Sequence, residues 1–189
     1  MENLDLDLPY QDIFKTKNMK KQILLFVSAL LISTSIFCQS LKINSEKAVV
    51  NFNFISEKTV GTVSGINATI NFDASNLSVS SIEGTAAVKT LSTKNKMRDN
   101  HLQQEDMFNV EEYPTMDFKS SLISKTEKGF TMKGLLKIKG TEKEVLINFT
   151  YSENTFIGKT IIYSNDFDVF SRKKREDSKV LIKMTIPII

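Results

Sequence analysis

Tryptophan is absent from the 189-residue chain, and there are only 1 cysteine, 1 histidine, 3 prolines and 7 glycines. Each shortage removes a class of protein. The lone cysteine, Cys38, forbids an internal disulfide framework. A single histidine, His101, leaves no His-rich metal site and makes any histidine-dependent chemistry rest on one residue. Few glycines and prolines exclude collagen-like and low-complexity chains. Charge of one sign is scarce too: 25 basic against 22 acidic residues give +3, too little for the basic face that nucleic acid requires, so no nucleic-acid partner is expected. What is plentiful is phenylalanine, 13 residues, within an ordinary globular balance of 41% hydrophobic and 25% charged.

The N-terminal segment reads apart from the rest. Met19-Lys20-Lys21 precedes the apolar run Ile23 to Ile36. A basic start and a short apolar core describe a secretory signal peptide, and the run falls short of the roughly 20 residues of a membrane span. Glu2, Asp5, Asp7 and Asp12 lie before it and are unlike a signal n-region, so translation is expected to begin at Met19. Phe37 is too large for the position before a lipidated cysteine, so cleavage after Cys38 is expected. Residues 1–38 are therefore assigned to extension and signal peptide, and 39–189 to one exported domain, periplasmic or secreted. Without Cys38 that domain has no thiol, which suits an oxidising compartment.

From Leu41 onward the hydrophobic period is two. Phe52 and Phe54 alternate with Asn51 and Asn53; Ala68, Ile70 and Phe72 with Thr69 and Asn71; Ile82, Gly84 and Ala86 with Glu83 and Thr85. The same holds for Met116 and Phe118, for Met132, Gly134, Leu136 and Ile138, and for Val145, Ile147 and Phe149. Phe156 to Tyr163 and Val180 to Ile188 close the series. One apolar and one polar face mark antiparallel strands. Turn signals at Asp73 to Asn76, Lys128-Gly129, Lys139-Gly140 and Glu153-Asn154 separate them. The fold expected is all-β: an antiparallel barrel of about eight strands, interrupted by one or two short helices within Thr93 to Asn109.

The inward set carries no charge. It mixes large side chains with small ones at Ala68, Gly84, Ala86 and Gly134, and Gly158 can be added to these. Two readings fit. The small residues leave a tunnel for one small ligand, as barrels of this size can hold, or the glycines mark bulges where a strand coils tightly.

Three ordered segments identify a relationship. Asn95-Lys96-Met97-Arg98-Asp99-Asn100-His101-Leu102 comes first; Met107-Phe108-Asn109-Val110 and Tyr113-Pro114-Thr115-Met116-Asp117-Phe118-Lys119-Ser120 follow; Gly134 to Lys143 is the third. From Leu41 to Ile189 the chain resembles the YceI-like family, whose pattern runs R-D-x-H-L, F-x-V-x-x-Y-P-x-x-x-F-x-S, then G-x-L-x-x-K-G-x-x-K. The resemblance implies a lipocalin-like barrel that binds a long apolar chain, a polyisoprenoid or fatty-acid derivative, without a metal or redox cofactor and without catalysis. Two departures concern the polar end of the ligand. Where many members have R-x-D-F-G, this chain has Ser164-Asn165-Asp166-Phe167-Asp168, and Phe52 to Ser56 lacks a histidine common there.

Arg98, Asp99 and His101 admit three roles: anchoring the helical insertion through backbone groups, meeting a ligand headgroup, or catalysis on a lipidic or quinone-like substrate. A nucleophilic triad is disfavoured, because the sequence offers no G-x-S-x-G elbow. Arg98 suits a phosphate or carboxylate through its forked donors. Arg172-Lys173-Lys174-Arg175 is read either as a solvated loop or as a patch making transient contact with an anionic membrane surface.

Overall fold

The alternation read from the sequence becomes ten antiparallel strands in a computed structural model that describes residues 40–189. The expected signal peptide, the start at Met19 and Cys38 lie outside the described residues. The strands are β1 (Ser40–Leu41), β2 (Val49–Phe54), β3 (Thr59–Val63), β4 (Ile66–Asn71), β5 (Ser81–Ala87), β6 (Thr115–Thr126), β7 (Gly129–Ile138), β8 (Thr141–Ser152), β9 (Thr155–Tyr163) and β10 (Lys179–Pro187). Helix α1 (Lys96–Leu102) lies between β5 and β6. Two strands exceed the expected eight. β1 is two residues long, and β3 hides its period because Val60 points outward while Gly61 lies under the Phe52 ring.

The sheet order is β1-β4-β5-β6-β7-β8-β9-β10-β2-β3, an all-β sheet curled into an incomplete barrel. Its margins are tied by short contacts. Ile43 bridges Ile188, and Thr62 and Ser92 exchange two 2.9 Å backbone hydrogen bonds, so the chain leading to α1 extends the β3 edge. Lys139-Gly140 and Glu153-Asn154 all have positive φ, as two-residue hairpin turns demand. In β6 a bulge at Ser120/Leu122 reverses the faces, so that Leu122 is exposed and Ile123 buried.

Two apolar clusters fill the ends. The larger contains Ile70, Ile82, Met132, Ile147, Phe149 and Phe156; the smaller, at the α1 end, joins Ile138, Phe167 and Val169 to Met116, Leu136 and Phe170. Among the described residues no helix is long and apolar enough to cross a membrane.

Candidate functional site: an apolar cavity

Between the two clusters lies a cavity of about 590 Å³. It is walled by the inward faces of the strands, so its lining repeats the period of two. Phe52 and Phe54 come from β2, Ala68 and Ile70 from β4, Gly84 and Ala86 from β5. Met116 and Phe118 of β6, Met132 and Leu136 of β7, and Ile147 and Phe149 of β8 complete the sequence-expected wall. The alternating face of β10, Val180, Ile182, Met184 and Ile186, lines it too and was readable from the same period. Phe167, Val169 and Phe170 also line it, and no period announces them.

Two expected lining residues stand elsewhere. Phe72 is past the end of β4 and closes the far end, its ring centroid 5.1 Å from Phe130, 5.3 Å from Phe156 and 5.7 Å from both Phe149 and Tyr151. Gly134 gives no room to the cavity. It faces Ser120 at the β6 bulge, and an added Cβ would lie 2.4 Å from the Lys119 carbonyl and 2.6 Å from the Phe118 ring. The bulge reading holds there. Gly158 borders the cavity, but the space at its face is taken by the tip of Met184. At Gly84 an added Cβ would fit tightly, 3.2 Å from the Asn67 carbonyl and 3.3 Å from the Cβ of Ala68, its direct partner on β4.

Charged groups border the cavity only toward α1: Glu57, Arg98, His101 and Asp117. Met97, on α1, lines the cavity and is 84% exposed, so the cavity reaches the surface there. The mouth is held by polar contacts. Asp99 accepts from the Thr93 amide at 2.7 Å, from Thr93 Oγ1 at 2.5 Å and from Ser92 Oγ at 3.4 Å. Burial works to raise its pKa, but these bonds and the neighbouring Arg98 charge outweigh that and hold the carboxyl below the usual range. Arg98 donates from Nε to Thr93 Oγ1 at 2.8 Å, and from Nη1 to Thr59 Oγ1 at 3.3 Å. Asn95 caps α1 by accepting from the Arg98 amide. Asp99 and Arg98 thus tie the insertion to the β3 margin, and Asp99 itself does not line the cavity. His101 makes a separate contact, 3.0 Å to Asp106, and is 57% exposed.

On the other side of the mouth lies the loop after β9, where this chain departs from the family pattern. Asp168 takes the left-handed conformation, φ 53°, where the pattern has glycine. The missing arginine has a counterpart in Arg175, whose Nε and Nη2 donate to the Asp166 carboxylate at 2.8 and 2.6 Å. That pairing, ahead of burial, pulls Asp166 below the usual carboxylate range. Arg172 pairs with Glu57 and lies 4.0 Å over the Phe170 ring, so the loop is clasped to the β2–β3 turn. Half of the basic run is therefore engaged internally, leaving Lys173 and Lys174 exposed. Sequence reasoning missed Glu57, which lies in the β2–β3 turn, off the period of the inward β2 face.

Residues 41–188 match the YceI-like domain family. A UPF0312 protein of Photorhabdus laumondii, plu2095, is 31% identical over 88 residues, 47% of this chain and 46% of that protein. The chain spans about half the length of the curated relatives it matches. Among solved structures, Burkholderia cenocepacia BcnA aligns with TM-score 0.67 at 23% identity over 77% of this chain and 98% of its own. A polyisoprenoid binding domain from Saccharophagus degradans aligns with TM-score 0.51 at 8% identity, over 79% of this chain and 96% of its own. At these identities the structural matches speak for the fold.

Proposed function

Because the chain belongs to the YceI-like family, we propose that it binds a long-chain lipid, a polyisoprenoid or fatty-acid derivative, inside the barrel and carries it unchanged. The observation that carries the reading is the cavity: about 590 Å³, apolar along its length and bordered by charge at one end only. That volume lies within the range of small-molecule sites. Each methylene moved into it from water contributes about 0.8 kcal/mol, so the walls alone can hold a tail. The Saccharophagus degradans domain, described as polyisoprenoid binding, lends the ligand class.

The binding reading is favoured over catalysis by the hydrogen bonding at the mouth. Arg98 and Asp99 are spent on Thr93, Ser92 and Thr59, while His101 turns to Asp106. A tail would lie along Phe118, Met132 and Ile147, with its polar end among Glu57, Arg98 and His101. The carrier would exchange lipid with an anionic membrane. Export through residues 19–38 would supply the compartment; the intact mass expected then begins at Gln39, and a species retaining Ile23 to Ile36 would refute it.

The test uses a fluorescent polyene fatty acid as probe. Wild-type protein should bind it, and Ala86→Asp should abolish binding, because an unpaired charge in an apolar wall is very costly. Circular dichroism of the variant separates loss of binding from loss of fold. A folded Ala86→Asp protein that binds as wild type does would refute the reading.

A further inference from the structure

The outward faces of the two halves of the sheet treat lysine differently. On the β5–β8 half, three lysines have cross-strand acids: Lys119 Nζ is 2.7 Å from Glu83, Lys133 2.8 Å from Glu144 and Lys137 4.0 Å from Glu142. On β9 and β10, Lys159 and Lys183 are direct register partners. Both are exposed, and neither belongs to any salt bridge among the described residues. Like charges directly opposite across antiparallel strands are destabilising, and an anion laid over them relieves the cost.

The surroundings suit such an anion. Exposed amides continue the row, Asn148 opposite Lys159 and Asn51 opposite Lys183. The next outward row is aliphatic: Ile161 opposite Leu181, which in turn faces Asn53 and, beyond it, Val60. Ile161, Leu181, Val60 and Leu146 of β8 are all exposed. Together they border an outer groove of about 1070 Å³ whose two carboxylates, Glu144 and Asp166, are already paired with Lys133 and Arg175.

This groove backs onto the cavity. Val145, Thr160, Ile162 and Phe167 border both. The β8–β9 ladder stops at Asn148–Lys159, and beyond it the strands are joined by Thr160 Oγ1 donating to the Leu146 carbonyl at 2.8 Å. The space past that bond is occupied by Phe167, packed with Ile138 and Ile162. The wall shared by groove and cavity lies on the face that carries the unpaired lysines.

We propose that the outer face of β8, β9 and β10 docks on an anionic bilayer, Lys159 and Lys183 meeting headgroup phosphates while Ile161, Leu181 and Leu146 meet the boundary of the acyl chains. The proposal rests on the lipid-binding reading, which supplies the reason for a membrane partner rather than an acidic protein: the docking groove and the tail cavity share a wall.

Co-sedimentation with phosphatidylcholine vesicles, with and without a minority of phosphatidylglycerol, tests it. Wild-type protein should sediment only with the anionic vesicles, and less as salt rises. The double variant Lys159→Glu/Lys183→Glu should lose at least about tenfold in vesicle affinity, whereas Lys119→Glu, on the paired half, should keep it. The double variant should still bind the polyene fatty acid in solution, so a docking failure is distinguishable from failure of the tail site. Lys159→Glu alone, which gives Lys183 an opposite charge, should raise the melting temperature. Unchanged vesicle binding by the double variant overturns the proposal. So does equal affinity of the wild type for soluble polyglutamate, which would make the face a protein-binding surface.

Discussion

The two ends of the barrel are built from different chemistry. At the far end Phe72, Phe130, Phe149, Tyr151 and Phe156 meet ring to ring, with Tyr151 and Phe156 stacked at 4.3 Å. At the α1 end closure depends on hydrogen bonds and ion pairs: Asp99 to Thr93, Arg98 to Thr59, Arg172 to Glu57. Rings that exclude water make a rigid floor. Polar contacts exchange readily with water, and the exposed Met97 shows the cavity open beside them. The difference gives the cavity a direction, and the lipid proposed for it would lie with its tail toward the rings and its polar end toward α1.

The largest way to break that contrast is to remove a ring from the floor. Phe149→Ala, at a position only 3% exposed and in contact with Phe72, Phe130 and Phe156, should cost about 3–5 kcal/mol in denaturant unfolding. A cost below about 1 kcal/mol would mean that the far end is not the structural anchor.

How far this was legible follows from which residues obey a period. Strand faces did: Phe52, Ile70, Phe118 and Ile147 point inward as alternation requires. Gly134 misled, because in sequence a glycine that leaves space looks the same as one under a phenylalanine ring. The loop after β9 was opaque for another reason. Asp168 and Phe170 both take positive φ, so Phe167, Val169 and Phe170 reach the cavity through local backbone geometry without any repeat. The basic run that the sequence displays is Arg172 to Arg175, half of it internally paired, whereas Lys159 and Lys183, far apart in sequence, become neighbours only through strand register.

A middle-sized effect is expected at the hydrogen-bonded end. Asp99→Ala should lower stability by about 1–2 kcal/mol, as Thr93 loses its acceptor. The pH dependence follows from the lowered carboxyl of Asp99. The unfolded chain takes up the proton at the ordinary carboxylate value and the folded one resists, so protonation favours unfolding. The stabilisation is complete above about pH 4 and is lost as pH falls through the lowered value. Thermal melts between pH 5 and about pH 2 should therefore show a shallower acid loss in the variant than in the wild type. Identical acid limbs would mean that Asp99 does not hold the mouth.

The smallest effect on stability belongs to the clasp. Glu57→Gln removes a partly exposed ion pair and should change stability by less than about 1 kcal/mol. It should nevertheless speed uptake of the polyene fatty acid in stopped-flow fluorescence, because the loop after β9 is no longer held to the β2–β3 turn. Slower or unchanged uptake would separate the clasp from the mouth.

Native mass spectrometry of protein expressed in its own host and purified without detergent tests the central claim most directly. The account predicts a bound species heavier than the polypeptide by the mass of one lipid, released by organic solvent and missing from Ala86→Asp. Wild-type protein recovered only at the polypeptide mass, and unable to take up a tail-bearing probe, would contradict it.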